Sequence, residues 1–432
     1  MAETQKNNYV SNSMWILLEK SARIISGLLV GVLVARFLGT TQFGTIYYGL
    51  TIIGIMAIFS TLGLDSLVVR ELITRSNDEN KILGTALGLR LGGSLVAIVG
   101  SIIYSLLRDP ASTTFIVFLL SLSMLFQSFN VIDFYFQSQV KGKYTAINQV
   151  ITLFISALIK LLLIYLEAPL VYFAAMAAFE ALLSAFIQWR FYKKFGGHIS
   201  HWKFSLPESK HLVYLTLPII LSSFIQMLYT NADGILIARF LRDMGLVGQY
   251  GAAVRISQAS YFIPVAICAA VFPGIVNNRN NAALQETRLT QLYSLMLWGA
   301  LFIIAGAMLT GDWVIGNLYG PKYPLAPEVF KLHVWSILPV FWGTAWGMWM
   351  LAEQKQKYVV GMQVLNAIII LGSELVLIPR LGILGAAWAV IVGSYIALLY
   401  MVLSYKPLAT LRMFYNALNP KNLIAIFHYS RS

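Results

Sequence analysis

Runs of about twenty apolar residues recur along this chain, and a run of that length can cross the hydrocarbon of a bilayer as a helix. Lipid supplies no partner for backbone N–H and C=O groups, so a crossing segment must close its hydrogen bonds within itself. Apolar windows give twelve such spans, at about 14–36, 43–64, 82–107, 113–137, 144–166, 169–190, 213–238, 250–276, 289–311, 329–352, 357–378 and 383–405. Only 11% of the residues are charged, against roughly 25% in a soluble domain. The chain is therefore expected to be an all-α polytopic membrane protein. The polar start "MAETQKNNYVSNS" leads into a long apolar run with no small-residue cleavage site behind a short core, which reads as an uncleaved first span. The single cysteine, Cys268, leaves no disulfide to be formed within the chain.

The net charge of +13 could suggest nucleic acid, but the basic residues cluster between spans, so no nucleic-acid partner is expected. Nineteen Lys and Arg fall on the N-terminal arm, the even-numbered connections and the C-terminal tail, and seven on the odd-numbered connections. Positive charge is retained on the cytoplasmic side, which puts both termini in the cytoplasm. The remaining five, Lys20, Arg23, Arg90, Lys160 and Arg255, lie inside spans.

The chain repeats itself. "KGKYTAINQVITLFISALIKLLLI" (141–164) aligns without gaps to "KQKYVVGMQVLNAIIILGSELVLI" (355–378), with nine of 24 positions identical. "VARFLGTTQFGTIY" (34–47) echoes "IARFLRDMGLVGQY" (237–250) in the same order. Duplication gives two pseudo-symmetric bundles of six spans, related by an axis along the membrane normal. The expected organisation is a lobe over 1–190, a basic cytoplasmic hinge loop over 191–212, a second lobe over 213–405 and a basic cytoplasmic tail over 406–432. Pro218, Pro264, Pro273 and Pro339 fall within spans of the second half, where each removes a helix hydrogen bond and permits a bend.

An ionisable side chain inside a span is costly and normally faces a bundle interior or a water-filled cavity. On a wheel at about 100° per residue, with Glu19 at 0°, Arg23 falls at about 40°, Lys20 at about 100°, Ser26 at about −20° and Gly27 at about 80°. Charges and small residues share one face, the pattern of a cavity-lining helix. Six acids accompany the bases: Glu19, Glu180 and Glu374 well inside spans, and Asp65, Asp133 and Asp233 close to span ends. Lys20, Arg23 and Arg90 lie toward the cytoplasmic side, and Lys160 and Arg255 toward the outer side, so a cavity they line suits an anionic ligand passed across the membrane. Arg grips phosphate bidentately and Lys acts as a point charge. Structural readings compete with this one. Arg23 can pair with Glu19, Lys160 and Arg255 can snorkel, and Arg90 can hold a neighbouring helix. Asp65 and Asp133 suit interfacial caps, and Glu180 suits interhelical pairing or the cavity. Lys160 aligns in the repeat with Glu374, so equivalent positions carry opposite charge. Trp335, Trp342, Trp346 and Trp349 lie near one helix face, as sugar contacts, as packing or as interface anchors. No catalytic motif, metal-ligand spacing or cofactor loop emerges. His198, His201 and His211 read as solvated loop residues.

The stretch "SARIISGLLVGVLVARFLGTTQFGTIYYGLTIIGIMAIFSTLGLDSLVVREL" (21–72) resembles the start of the polysaccharide-transporter family, which includes the Wzx-type O-antigen flippases. "LYGPKYPLAPEVFKLHVWSILPVF" (318–341) and "NAIIILGSELVLIPRLGILGAAWA" (366–389) are similar to two later elements of that family. They lie in order across most of the chain, and together they mark the superfamily of multidrug, oligosaccharide-lipid and polysaccharide exporters.

The resemblance implies a two-lobed, twelve-span transporter of the bacterial inner membrane with a central cavity. It would need no cofactor and would move undecaprenyl-diphosphate-linked oligosaccharide from the inner to the outer leaflet. The lipid-linked diphosphate and membrane lipids would be its partners, with a polysaccharide polymerase and chain-length regulator beside it. The charges already read inside the spans, Lys20, Arg23, Arg90, Lys160, Arg255 and Glu180, would be its substrate contacts. Relatives that bind a monovalent cation use an Asp on the seventh span and an Asn on the eleventh, which Asp233 and Asn366 match; Glu374 is a third candidate for a coupling ion. Ile370 stands where a further carboxylate would be expected. Two other functions compete. A cation-coupled drug exporter would want acids to dominate the cavity. A membrane glycosyltransferase or polymerase would want a large outer loop.

Overall fold

The computed structural model describes the backbone of residues 2–277 and 282–422, with side chains described in these stretches apart from those of 2–25, 270, 272–274, 276–277 and 282. Its elements, among the described residues, are helices joined by short turns. They are α1 (Ala2–Thr61), α2 (Leu64–Thr74), α3 (Glu79–Leu106), α4 (Ala111–Gln127), α5 (Val131–Ser138), α6 (Gly142–Tyr165), α7 (Leu170–Lys194) and α8 (Leu206–Leu241). There follow α9 (Met244–Gln258), α10 (Phe262–Asn277), α11 (Ala282–Tyr319), α12 (Ala326–His333), α13 (Ile337–Ala352), α14 (Gln356–Leu381), α15 (Ile383–Ser404) and α16 (Pro407–Ala417).

Ten segments of the described residues are long and apolar enough to cross a membrane. Twelve spans were read from the sequence, and the two sets differ at two places. The first segment, Ser26–Thr74, has 49 residues. It bends at Gly39, whose φ of 75° lies in the left-handed region that glycine enters without a Cβ clash. Two sequence spans thus share one helical run. The span read at 329–352 is built from α12, a 3-10 turn over Val334–Ser336, and α13, and it is not among the ten segments. Pro339 sits in the first turn of α13 and Pro264 in the first turn of α10, each just after a 3-10 turn. A missing N–H costs least there. Pro218 lies inside α8.

The chain divides into two compact units, Met1–Ile235 and Leu236–Ser432. In the first, α1 packs on α3, α4 and α6, and α7 packs on α4 and α6. One apolar core joins Leu64, Leu67 and Val68 of α2 to Ile82 and Leu83 of α3 and to Val131, Ile132 and Phe134 of α5. Since lipid is as apolar as leucine, burial of apolar surface does not drive helices together within a bilayer; close packing and interhelical hydrogen bonds do. A serine relay supplies such bonds: Ser94 Oγ lies 2.8 Å from Ser60 Oγ and 2.9 Å from Ser128 Oγ, and donates to the Met124 carbonyl at 2.9 Å.

The basic loop between α7 and α8 is stitched to α3 of this unit, and the first turn of α8 to the end of α2. Lys203 N–H donates to the Asn80 carbonyl at 3.1 Å, and Ser205 N–H donates to Thr85 Oγ1 at 3.1 Å. Arg75 donates to both carboxylate oxygens of the buried Glu208, one at 3.2 Å. These hydrogen bonds to Glu208 hold the Arg75 guanidinium above its ordinary pKa. His198 and His201 are exposed in the connection, and His211, read from the sequence as a loop residue, is instead an exposed residue of the first turns of α8.

In the second unit, α14 and α15 form an antiparallel pair closed by Gly382. Gly385 and Gly393 line the contact, against Leu377 and Ile370 of α14, and let the backbones approach. A Cβ on Gly393 would sit 2.3 Å from Ile370 Cγ1. Gly393→Val should therefore cost about 1–3 kcal/mol through overpacking. A lower thermal midpoint in detergent is the expected result, and an unchanged midpoint would contradict the packing described.

Candidate functional site

In the first unit, Asn148, Thr152, Ser156 and Lys160 of α6 recur every fourth residue, as do Glu180, Ser184 and Gln188 of α7. Residues four apart share a helix face, so each row forms a polar stripe on an otherwise apolar span. The antiparallel helices bring the stripes together. Lys160 Nζ lies 2.5 Å from Glu180 Oε1, which also accepts the Ser156 hydroxyl. Deeper along the pair, Asn148 Nδ2 donates to Ser184 Oγ at 2.9 Å, and Thr152 Oγ1 lies 3.5 Å from Asn148 Oδ1. Gln188 Nε2 lies 3.4 Å from Asn130 Oδ1. Asn148, Thr152, Ser156, Ser184 and Gln188 are buried, while Lys160 and Glu180 keep partial exposure. The five buried polar residues escaped the sequence reading, which searched for charge alone. Their four-residue spacing was the available signal.

Arg90 of α3 is only 3% exposed. Its Nη1 donates to Asp65 Oδ1 of α2 at 2.9 Å, and its guanidinium lies 5.4 Å from the Phe134 ring centroid, within cation–π range. Asp133 of α5 accepts Gln137 Nε2 at 2.8 Å and the Thr145 hydroxyl. Both carboxylates act electrostatically on Arg90. Asp65 itself is 63% exposed, so the buried cation reaches its counter-charge at the cluster's open rim. Of the two roles the sequence left open for Arg90, interhelical contact is the one this geometry displays.

In the second unit, Arg255 closes the last turn of α9, exposed and without an ion pair among the described residues. Ser257 Oγ lies 2.8 Å from Nδ1 of the buried His333, and Tyr319 donates to the Ala252 carbonyl at 3.1 Å. Glu374 is fully buried on the α14 face that carries Ala367, Ile370 and Ile378. Asn366 Oδ1 is buried without a hydrogen-bond partner among the described residues, and the buried Ile370 lies one turn on. Asp233, of the first unit, is buried, and its Oδ1 accepts the Gly234 N–H at 2.6 Å. No group of three or more His, Cys, Asp or Glu residues able to hold a metal ion occurs among the described residues. Trp342, Trp346 and Trp349 are buried in the core, leaving Trp335 as the exposed member of the tryptophan row. The side chains of Lys20, Arg23 and Glu19 lie outside the described residues.

A model of the polysaccharide biosynthesis protein family matches residues 9–279. The chain belongs to this family. It is 30% identical over 155 residues to the "Probable lipid II flippase MurJ" of Helicobacter pylori strain J99, a match covering 33% of this chain and 32% of the relative. The chain thus aligns with about a third of the length of the curated relatives it matches. Among solved structures, the fold is shared with a lipid II flippase MurJ in an inward closed conformation, at TM-score 0.74 and 13% identity, over 95% of this chain and 91% of that one. An inward-facing multidrug resistance transporter of the MATE family, in the MOP superfamily, matches at TM-score 0.70 and 14% identity, over 91% of this chain and 95% of that one. The resemblance read from the quoted motifs and the all-α membrane fold agree with these findings.

The Arg90 geometry carries a prediction. Asp65→Ala leaves a buried guanidinium short of its acceptor, at an expected cost of about 1–3 kcal/mol. Combining it with Arg90→Met should restore most of that loss, since an apolar replacement of a buried pair is often neutral. Thermal unfolding of the two variants in detergent measures both effects. A double variant no more stable than Asp65→Ala would count against the pairing.

Proposed function

We propose that this chain is a flippase that carries undecaprenyl-diphosphate-linked oligosaccharide, an O-antigen or other surface polysaccharide unit, from the inner to the outer leaflet of the bacterial inner membrane. Membership of the polysaccharide biosynthesis protein family is the observation that carries the reading. The fold shared with a lipid II flippase supports it. So does the excess of bases over acids deep in the spans, which fits a diphosphate headgroup better than a cationic drug. The protein acts as a transporter and not as an enzyme, with both termini in the cytoplasm, as the distribution of Lys and Arg favours.

In this mechanism the chain alternates between inward and outward access. Lys20, Arg23 and Arg90 meet the diphosphate on the cytoplasmic side. Arg90 would do so by exchanging Asp65 for phosphate. Lys160 and Arg255 receive the headgroup toward the outer side, with Glu180 holding Lys160 until phosphate displaces it. Arg255 is the readier of the two, being exposed and without an ion pair among the described residues. Asp233, Asn366 and Glu374 are the candidates for a coupling ion, and Ile370, where a further carboxylate would complete a sodium site, argues against sodium. A polysaccharide polymerase and a chain-length regulator would take up the delivered unit.

Reconstitution into vesicles holding defined undecaprenyl-diphosphate sugars tests the proposal, by the rate at which sugar appears on the far leaflet. The intact chain should flip the lipid-linked sugar. Arg255→Ala and Lys160→Ala should each slow it about tenfold, the loss of one charge-assisted contact to phosphate. Transport of a cationic dye with no sugar-lipid movement would overturn the proposal in favour of a drug exporter. Sugar transfer by the purified protein would favour a glycosyltransferase.

A further inference from the structure

The helix that follows the last span has three distinct sides. The chain leaves α15 at Ser404 and turns at Lys406, whose φ is 44°. It then enters α16 at Pro407. With Leu408 at 0° and about 100° per residue, Thr410, Met413, Phe414 and Ala417 fall at about 140–240°, and Leu411, Tyr415 and Leu418 join Leu408 at about −80° to 0°. The first group is buried against the second unit. Phe414 packs 4.1 Å from Trp342 and 4.9 Å from Tyr293, measured between ring centroids. The second group is apolar and outward, 54–83% exposed. Arg412 and Asn416 lie on the flank between them, at about 40–80°. That flank is polar and exposed.

A helix resting on the protein with one side, apolar on the second and polar on the third fits the edge of a bundle at the membrane surface. We propose that α16 lies in the plane of the bilayer interface, with Leu408, Leu411, Tyr415 and Leu418 sunk to the acyl-chain boundary and Lys406, Arg412 and Lys421 meeting anionic headgroups. Two observations choose lipid as the occupant. First, the outward face continues the lipid-facing surface of the preceding span, where Leu399 and Leu403 are exposed one to two turns before the helix begins. Second, the flank and ends of the helix carry basic charge and no acid between 405 and 422, the complement of an anionic leaflet.

The attachment of α16 gives this contact a consequence. Arg412 Nε lies 3.3 Å from Glu286 Oε1 of α11. Glu353, at the end of α13, accepts Gln285 Nε2 of α11 and the Tyr405 hydroxyl, each at 3.1 Å. A pull exerted by lipid on α16 therefore acts on the ends of α11, α13 and α15 together, so anionic lipid should steady this end of the second unit.

The test is site-directed spin labelling in phospholipid nanodiscs, in a Cys268→Ser background with single cysteines at Leu411, Tyr415 and Asn416. Labels at 411 and 415 should show an oxygen-to-nickel-chelate accessibility ratio severalfold above that at 416, rising further when phosphatidylglycerol replaces phosphatidylcholine. Equal ratios at the three positions, or no response to phosphatidylglycerol, would overturn the proposal. Spin–spin broadening at 411 and 415 would overturn it in favour of a second copy of the chain on that face. The unsubstituted protein offers a parallel measurement with diazirine-bearing phosphatidylglycerol. Adducts on 408–418 are expected, and adducts confined to the spans would count against lipid on α16.

Discussion

A charge carried into a bilayer needs a counter-charge within the bundle or a water-filled cavity, because lipid cannot solvate it. Lys160 and Glu180 meet across α6 and α7, and Arg90 and Asp65 meet across α3 and α2. Each pair fixes the rotation of two helices about their own axes, and the neighbouring polar contacts follow from that rotation. Once Lys160 faces Glu180, the four-residue spacing turns Asn148 toward Ser184 along the same seam. The first unit is thus held by polar groups in register as much as by its apolar core.

Close packing and hydrogen bonding between helices occur in both units. The first has hydroxyl relays such as Ser60–Ser94–Ser128, where side chains return hydrogen bonds to neighbouring helices, and a glycine, Gly93, against Phe59. The second has glycines between α14 and α15, aromatic rings around Trp342 and the Ser257–His333 hydrogen bond. Both satisfy the same requirement, since association in lipid draws on contact and hydrogen bonding and gains nothing from expelling water. Breaks in the helices fall where this scheme permits them, at a glycine in α1 and at 3-10 turns that precede Pro264 and Pro339.

Much of the candidate site was open to reading in the sequence, at the level of which residues matter. Arg90, Lys160, Arg255, Glu180 and Glu374 stand out because charge inside an apolar window is conspicuous. The buried amides and hydroxyls of α6 and α7 are less so, since Ser and Thr are common in membrane helices and their meaning lies in spacing. The tryptophan row was legible only as alternatives, sugar contact, packing or interface anchoring. Spacing put Trp342, Trp346 and Trp349 near one face, and burial assigns that face to the core.

What the sequence determined by itself was local: the apolar spans, the internal repeat and the distribution of basic residues. Each of these depends on neighbours along the chain or on simple counts. Only the tertiary structure decided which charges are paired. Arg90 finds Asp65 at a separation of 25 residues, and Lys160 finds Glu180 at 20. A helical wheel reaches three or four residues along one helix, whereas these partners come from different helices. Their meeting is set by how each helix is rotated and how far it slides against its neighbour.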